Sequence, residues 1–193
     1  FREFLNTELI ITEKLDGSNV CLTRTNVFAR SHSGPPDHPS FLPLTKFHKI
    51  LKERIPDGLS IFGEWAFAVH SIKYRMMIHP LNIFGVRDDK TGVWWDWDDV
   101  VMMASELDLI TVPMLLRGSF HDEKLLISII EEFASYSSVY GPIREGLVLR
   151  KACDISQPNE CFGGLAKWVR KDHVCGEHWK KGSYTKQPNL SFL

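Results

Sequence analysis

Glu13-Lys14-Leu15-Asp16-Gly17-Ser18-Asn19 is the segment of this chain best equipped to do chemistry. It follows directly on ELIIT (8–12), an apolar, β-branched run that reads as a strand. A lysine amine can attack a phosphate only after losing its proton, and free lysine ionises at about 10.4. A neighbouring cation or metal ion lowers that value by disfavouring the charged form. Gly17 lets the backbone turn tightly and come close to a ligand. Asp-Gly is also a strong hairpin signal, so KxDG by itself describes an ordinary turn as well as it describes a nucleophile.

Other segments carry groups suited to a phosphate substrate: FGEWAF (62–67) with Glu64, LNIFGV (81–86) with Phe84, EGLVLR (145–150) with Glu145, and LAKWVR (165–170) with Lys167. Each has a plain alternative. Glu64 and Glu145 could be exposed strand residues, Phe84 could be core, and Lys167, alternating with apolar neighbours, could face water. Taken together, in this order and at about this spacing, the segments resemble the covalent nucleotidyltransferases: ATP-dependent DNA and RNA ligases and mRNA capping enzymes. The resemblance covers nearly the whole chain. VPMLLRGSF (112–120) and WVRKDHVCGEHW (168–179) look like RNA ligases in particular.

That resemblance implies an α+β nucleotidyltransferase domain, ATP-grasp-like, with antiparallel sheets flanking a nucleotide cleft and a single core domain over residues 1–193. Related ligases usually carry an accessory domain beside this core, absent here or removed, and a chain that starts on Phe1 reads as cut from something longer. Lys14 would take AMP from ATP as a phosphoramidate. Glu13 would lie beside the adenine-binding backbone, and Asp16, Gly17 and Asn19 would hold the nucleophile loop. Arg30, with Ser31, would meet the nucleotide or the substrate phosphate. Glu64 would accept a hydrogen bond from a ribose hydroxyl, and Phe84 would stack on the adenine. Glu145 would bind the metal, Mg²⁺ or Mn²⁺, and Lys167 would hold the α-phosphate. The expected partners are RNA ends, in a nicked duplex or an RNA/DNA hybrid. One departure stands out: many ligases have KxK in the last motif, and here Val169 fills the second lysine slot. A DNA ligase is the nearest rival reading, a GTP-using capping enzyme the next, and a nucleic-acid-binding pseudoenzyme the rival from outside catalysis.

The elements that must position these residues are legible as short patterns. Strand-like runs are ELIIT (8–12), NVCLT (19–23), NVFAR (26–30), LSIFGEW (59–65), LNIFGV (81–86), GLVLRK (146–151) and LAKWV (165–169), with a tight connection at Thr25-Asn26. Helices are expected over Lys46–Arg54, with Phe47, Ile50, Leu51 and Ile55 on one face; from Asp98 or Asp99 through VVMMASEL; and from Ser119 or Asp122 with Leu125, Leu126, Ile129, Ile130 and Phe133 facing the core. SHSGPPDHPSFLP (31–43) reads as a Pro-rich loop. Strands and helices do not alternate regularly, which favours α+β over a doubly wound sheet.

Bulk composition is that of a globular protein: 193 residues, 44% hydrophobic and 24% charged. Mean hydropathy is −0.14 and no apolar run suits a membrane span. The charged N-terminal stretch carries no signal-peptide pattern, so an intracellular monomer without membrane contact is expected. Net charge is −1, so nucleic-acid contact must come from local charge. Lys167, Arg170, Lys171, Lys180, Lys181 and Lys186 cluster with only Asp172 and Glu177 among them. The four cysteines form no CxxC pair, and Cys161, His173, Cys175 and His178 fit no usual zinc spacing.

Overall fold

β1 (Glu8–Lys14) organises the chain because its side chains divide between two cores. Leu9 and Ile11 point one way and Ile10 the other, and all three have 0% exposure. A strand covered on both faces reads as a continuous apolar run rather than an alternation, which is what ELIIT shows. In this computed structural model, which describes residues 2–29, 36–156, 164–171 and 183–190, β1 lies inside a four-stranded antiparallel sheet of order β7-β1-β8-β9. Its partners are β7 (Met114–Ser119) and β8 (Gly146–Lys151), and β8 pairs in turn with β9 (Leu165–Val169). The five-stranded second sheet has the order β3-β2-β4-β5-β6. Its strands are β2 (Ser18–Leu22), β3 (Val27–Ala29), β4 (Leu59–Trp65), β5 (Leu81–Asp88) and the short β6 (Ile110–Thr111). β6 runs parallel to β5, so this sheet is mixed where purely antiparallel sheets were expected.

Among the described residues three α-helices pack onto the two cores. α3 (Glu123–Ser135) buries Leu126, Ile130 and Ala134 against the face of the first sheet that carries Leu9, Ile11, Leu147 and Leu149. α1 (Leu42–Leu51) and α2 (Trp97–Glu106) contribute Leu44, Leu51, Trp97, Val100 and Met103 to the larger core, which includes Ile10, Val20, Ile61, Trp65, Leu81 and Ile83. Among the described residues no helix is long and apolar enough to cross a membrane.

Several boundaries differ from the sequence expectation. α1 begins at Leu42, so its buried face is Leu44, His48 and Leu51, and Ile50 is 67% exposed. The Pro-rich loop ends early: Pro39–Phe41 already forms a 3-10 turn. α2 is capped by Asp96, whose side chain accepts from the Asp99 N–H, rather than by Asp98 or Asp99. α3 is capped by Asp122 as anticipated, but Leu125 lies off the buried stripe at 53% exposure. β6 and β7 were not foreseen as strands. Arg30, Ser31, the tail residues 172–179 and the Cys161, His173, Cys175, His178 set lie outside the described residues.

The irregular connection between β4 and β5 is pinned from the far end of the chain. Gln187, 1% exposed, accepts from the Tyr74 N–H at 2.8 Å and donates to the Ile72 carbonyl at 2.9 Å. Val69 N–H donates to Thr185 O and Gln187 N–H to Phe67 O. Residues 183–190 thus strap down residues 66–75.

Candidate active site

Period-two alternation along β1 sorts the nucleophile motif. Even positions Thr12 and Lys14 face a cavity between the two sheets, of about 580 Å³, while Glu13 points to the α3 side. Lys14 ends β1 opposite Gly146, which brings its Nζ to 2.5 Å from Glu145 Oε1. The Lys14 side chain is 26% exposed, whereas the Glu145 side chain, at 8%, is buried.

The turn after Lys14 is fixed by side-chain oxygens. Asp16 Oδ2 accepts from Ser71 N–H at 2.8 Å, Ser71 Oγ at 2.6 Å and Ile72 N–H at 2.8 Å, while Asp16 N–H donates to the Tyr74 hydroxyl at 2.7 Å. Asp16 therefore holds the nucleophile loop onto residues 70–74 and does not line the cavity. Gly17 does not line it either. Its place is steric: a Cβ there would stand 2.9 Å from the Trp65 carbonyl oxygen. Asn19 lines the cavity on β2, opposite Glu64 of β4.

Glu64 lines the same cavity. Removal from water pushes its carboxyl up to about 8; Lys14 and the Gly17 N–H oppose that rise, and the charges of Glu145 and Asp16 add to it. Glu13 is 1% exposed. Burial raises its carboxyl too, against hydrogen bonds from Ser138 and from the Val139 N–H and the Arg144 charge. Its side chain is thus engaged away from the cavity, and a base could meet only its backbone.

Phe84 owes its placement to a bulge. Gly63 pairs with Ile83 and Phe62 with Gly85, which leaves Phe84 as the extra residue on β5. Its half-buried ring lines the cavity and packs on the core at the same time. Lys167 reaches the cavity from β9, opposite Val148. Val169 pairs with Gly146 and is not in the cavity wall, while the Arg170 N–H donates to the Glu145 carbonyl at 3.2 Å, so β9 closes around the Glu145 backbone.

Glu13, Lys14, Asn19, Glu64, Phe84 and Lys167 therefore line one cavity, with Glu145 held against Lys14. Sequence reading missed Phe62, Trp94, Trp97 and Arg150, which form much of the remaining wall. Phe62 and Arg150 lay inside quoted motifs. Trp94 stands in no motif and meets Phe62 only through tertiary packing, ring centroids 4.5 Å apart. Among the described residues there is no cluster of three or more His, Cys, Asp or Glu side chains able to hold a metal.

No curated protein matches the sequence. Among solved structures, a Naegleria gruberi RNA ligase mutant with ATP and Mn superposes with a TM-score of 0.64 at 15% identity, covering 88% of this chain and 52% of that one. The Naegleria gruberi RNA ligase with PPi gives 0.63 at 17%, covering 86% and 50%. An archaeal ATP-dependent RNA ligase gives 0.58 at 16%, covering 87% and 44%. At such identities the likeness is one of fold, and the chain spans about half the length of the structures it matches. The RNA ligase family model matches residues 7–169, and the chain accordingly belongs to the RNA ligase family.

Proposed function

We propose that this chain is the adenylyltransferase core of an ATP-dependent RNA ligase, with Lys14 as the residue that becomes linked to AMP. The observation that carries the reading is the 2.5 Å contact with Glu145 of Lys14, which lines a cavity that also presents Glu64, Phe84 and Lys167. ATP enters with its base against Phe84 and the backbone at Glu13 and its ribose toward Glu64. Lys167 neutralises the α-phosphate. The Lys14 amine attacks that phosphorus and gives up a proton to solvent as the N–P bond forms, the bond to the bridging oxygen of the β-phosphate breaks, and pyrophosphate leaves. AMP then passes to a 5′-phosphate, and a 3′-hydroxyl displaces it to seal the strand. Each step gathers negative charge, so positioning and charge neutralisation govern the rate.

The carboxylates suit a divalent cation. Burial is the main cause of the raised Glu64 carboxyl and the Glu145 charge adds to it; a cation between phosphate and protein would offset that added repulsion. Mg²⁺ or Mn²⁺ held by Glu145 would take its remaining ligands from water and phosphate oxygens and supply charge neutralisation. Lys14→Ala should abolish labelling of the protein by [α-³²P]ATP in denaturing electrophoresis. Labelling that survives at the wild-type level removes Lys14 from the mechanism.

A further inference from the structure

Arg150 has no part in the reaction outlined above, yet it is a buried cation, 5% exposed, in the cavity wall. A guanidinium taken out of water is costly unless its donors are met. Here Nη1 donates to the Phe84 carbonyl at 3.2 Å, Nη2 to the Trp95 carbonyl at 2.6 Å, and Nε to the Lys151 carbonyl at 3.4 Å. The group also lies 5.5 Å from the centre of the Trp97 ring. Phe84 is the bulged residue, with no partner in the β4 register, and Arg150 takes up its carbonyl. Arg150 stands on β8, in the sheet that carries Lys14. Phe84 stands on β5, in the opposite sheet. The guanidinium therefore ties the two walls of the cavity together behind the aromatic ring. Glu145 immediately precedes the other end of β8, about 17 Å away at strand rise.

We propose that Arg150 is a positioning residue for the nucleotide base: by holding the Phe84 carbonyl and the Trp95 carbonyl from the opposite sheet, it fixes the tilt of the Phe84 ring and the width of the cleft. The inference rests on the cavity being the ATP site. Planar, forked donation is what lets one side chain hold two carbonyls, and lysine cannot reproduce it.

The test is single-turnover labelling with [α-³²P]ATP over a range of concentrations, on wild type, Arg150→Lys, Phe84→Ala and the double variant, with near-ultraviolet circular dichroism as the check on folding. Arg150→Lys should raise the ATP concentration for half-maximal rate by about tenfold, the worth of a lost charge-assisted bond. The rate at saturating ATP should stay within about twofold. In the Phe84→Ala background the same change should add less than about twofold: the carbonyl at 84 remains, but the ring that Arg150 positions is gone. Arg150→Gln, which keeps one amide donor, repeats the measurement should Arg150→Lys unfold. An unchanged ATP requirement in a labelled Arg150 variant overturns the inference, as does a loss confined to the saturating rate or full additivity with Phe84→Ala. Wild-type protein that takes no label overturns the ATP reading itself.

Discussion

Phe84 shows how one side chain can serve two ends. Its ring packs on the core and faces the cavity, so core and ligand readings are both partly true of it. Phe84→Ala should weaken ATP use by about 1–3 kcal/mol, the range for an aromatic–base stack. An unchanged half-saturating ATP concentration would assign Phe84 to the core alone. Glu64 makes a different claim, on pH. Its folded carboxyl stands at about 8 against an ordinary 4.5, so the folded ligand-free protein binds a proton there that the unfolded chain releases. The stability this brings is fully present below about pH 4.5 and is lost as pH rises through about 8. Glu64→Gln is neutral throughout, so its melting temperature should fall less than that of wild type between about pH 5 and about pH 8. Parallel melting curves would refute the assignment. At this scale the motif residues were legible because they are strung at fixed intervals. What was not legible was direction. The Glu13 and Lys14 side chains are neighbours in sequence and face opposite sides of a sheet, and Ser71 and Ile72, through which Asp16 holds the loop, lie 55 and 56 residues further on.

The strands supply that direction. Lys14 meets Glu145 only because β1 and β8 are in register from Leu9↔Lys151 to Lys14↔Gly146, and a slip of one residue would send every side chain of β1 to the wrong face. Gly146 is the tightest point of this arrangement, since a Cβ there would collide with the Trp168 carbonyl oxygen of β9. Gly146→Ala should destabilise the fold by about 1–3 kcal/mol through overpacking. It should also slow Lys14 labelling by pushing Glu145 out of line. Urea unfolding and labelling rates check the two effects, and a variant that matches wild type in both would show that the β8–β9 hairpin yields freely. Among elements, the long apolar strands were easy to read. β6 and β7 were not: Pro113 separates them, and β7 is an edge strand with exposed Met114 and a Gly and Arg in its middle. The Asp96 cap lay hidden in the run of aspartates that follows Trp95, where any of three could serve.

At the scale of the whole molecule the net charge of −1 gives no hint of an anionic partner, and recognition must come from where charge sits. Lys167 lies in the cavity, with Arg170 and Lys171 directly after β9. A nicked duplex with a pre-adenylated 5′ end isolates the sealing step. Sealing should be at least about tenfold faster when the 3′-hydroxyl strand ends in ribose than in deoxyribose, because the 2′-hydroxyl is what separates the two polymers. Added salt should slow both, as phosphate contacts release counterions. Equal sealing of the two ends would favour a DNA ligase. The strap at residues 183–190 has one more consequence, which concerns time. Lys14 is synthesised 131 residues before Glu145, and Tyr74 113 residues before the Gln187 that holds it. β1 cannot become an interior strand until β7 and β8 have both emerged to flank it. A chain still on the ribosome and halted after α3 would present Lys14 without Glu145, and residues 66–75 without the strap that holds them. Translation order therefore brings Lys14 and Glu145 together only once β8 has been made.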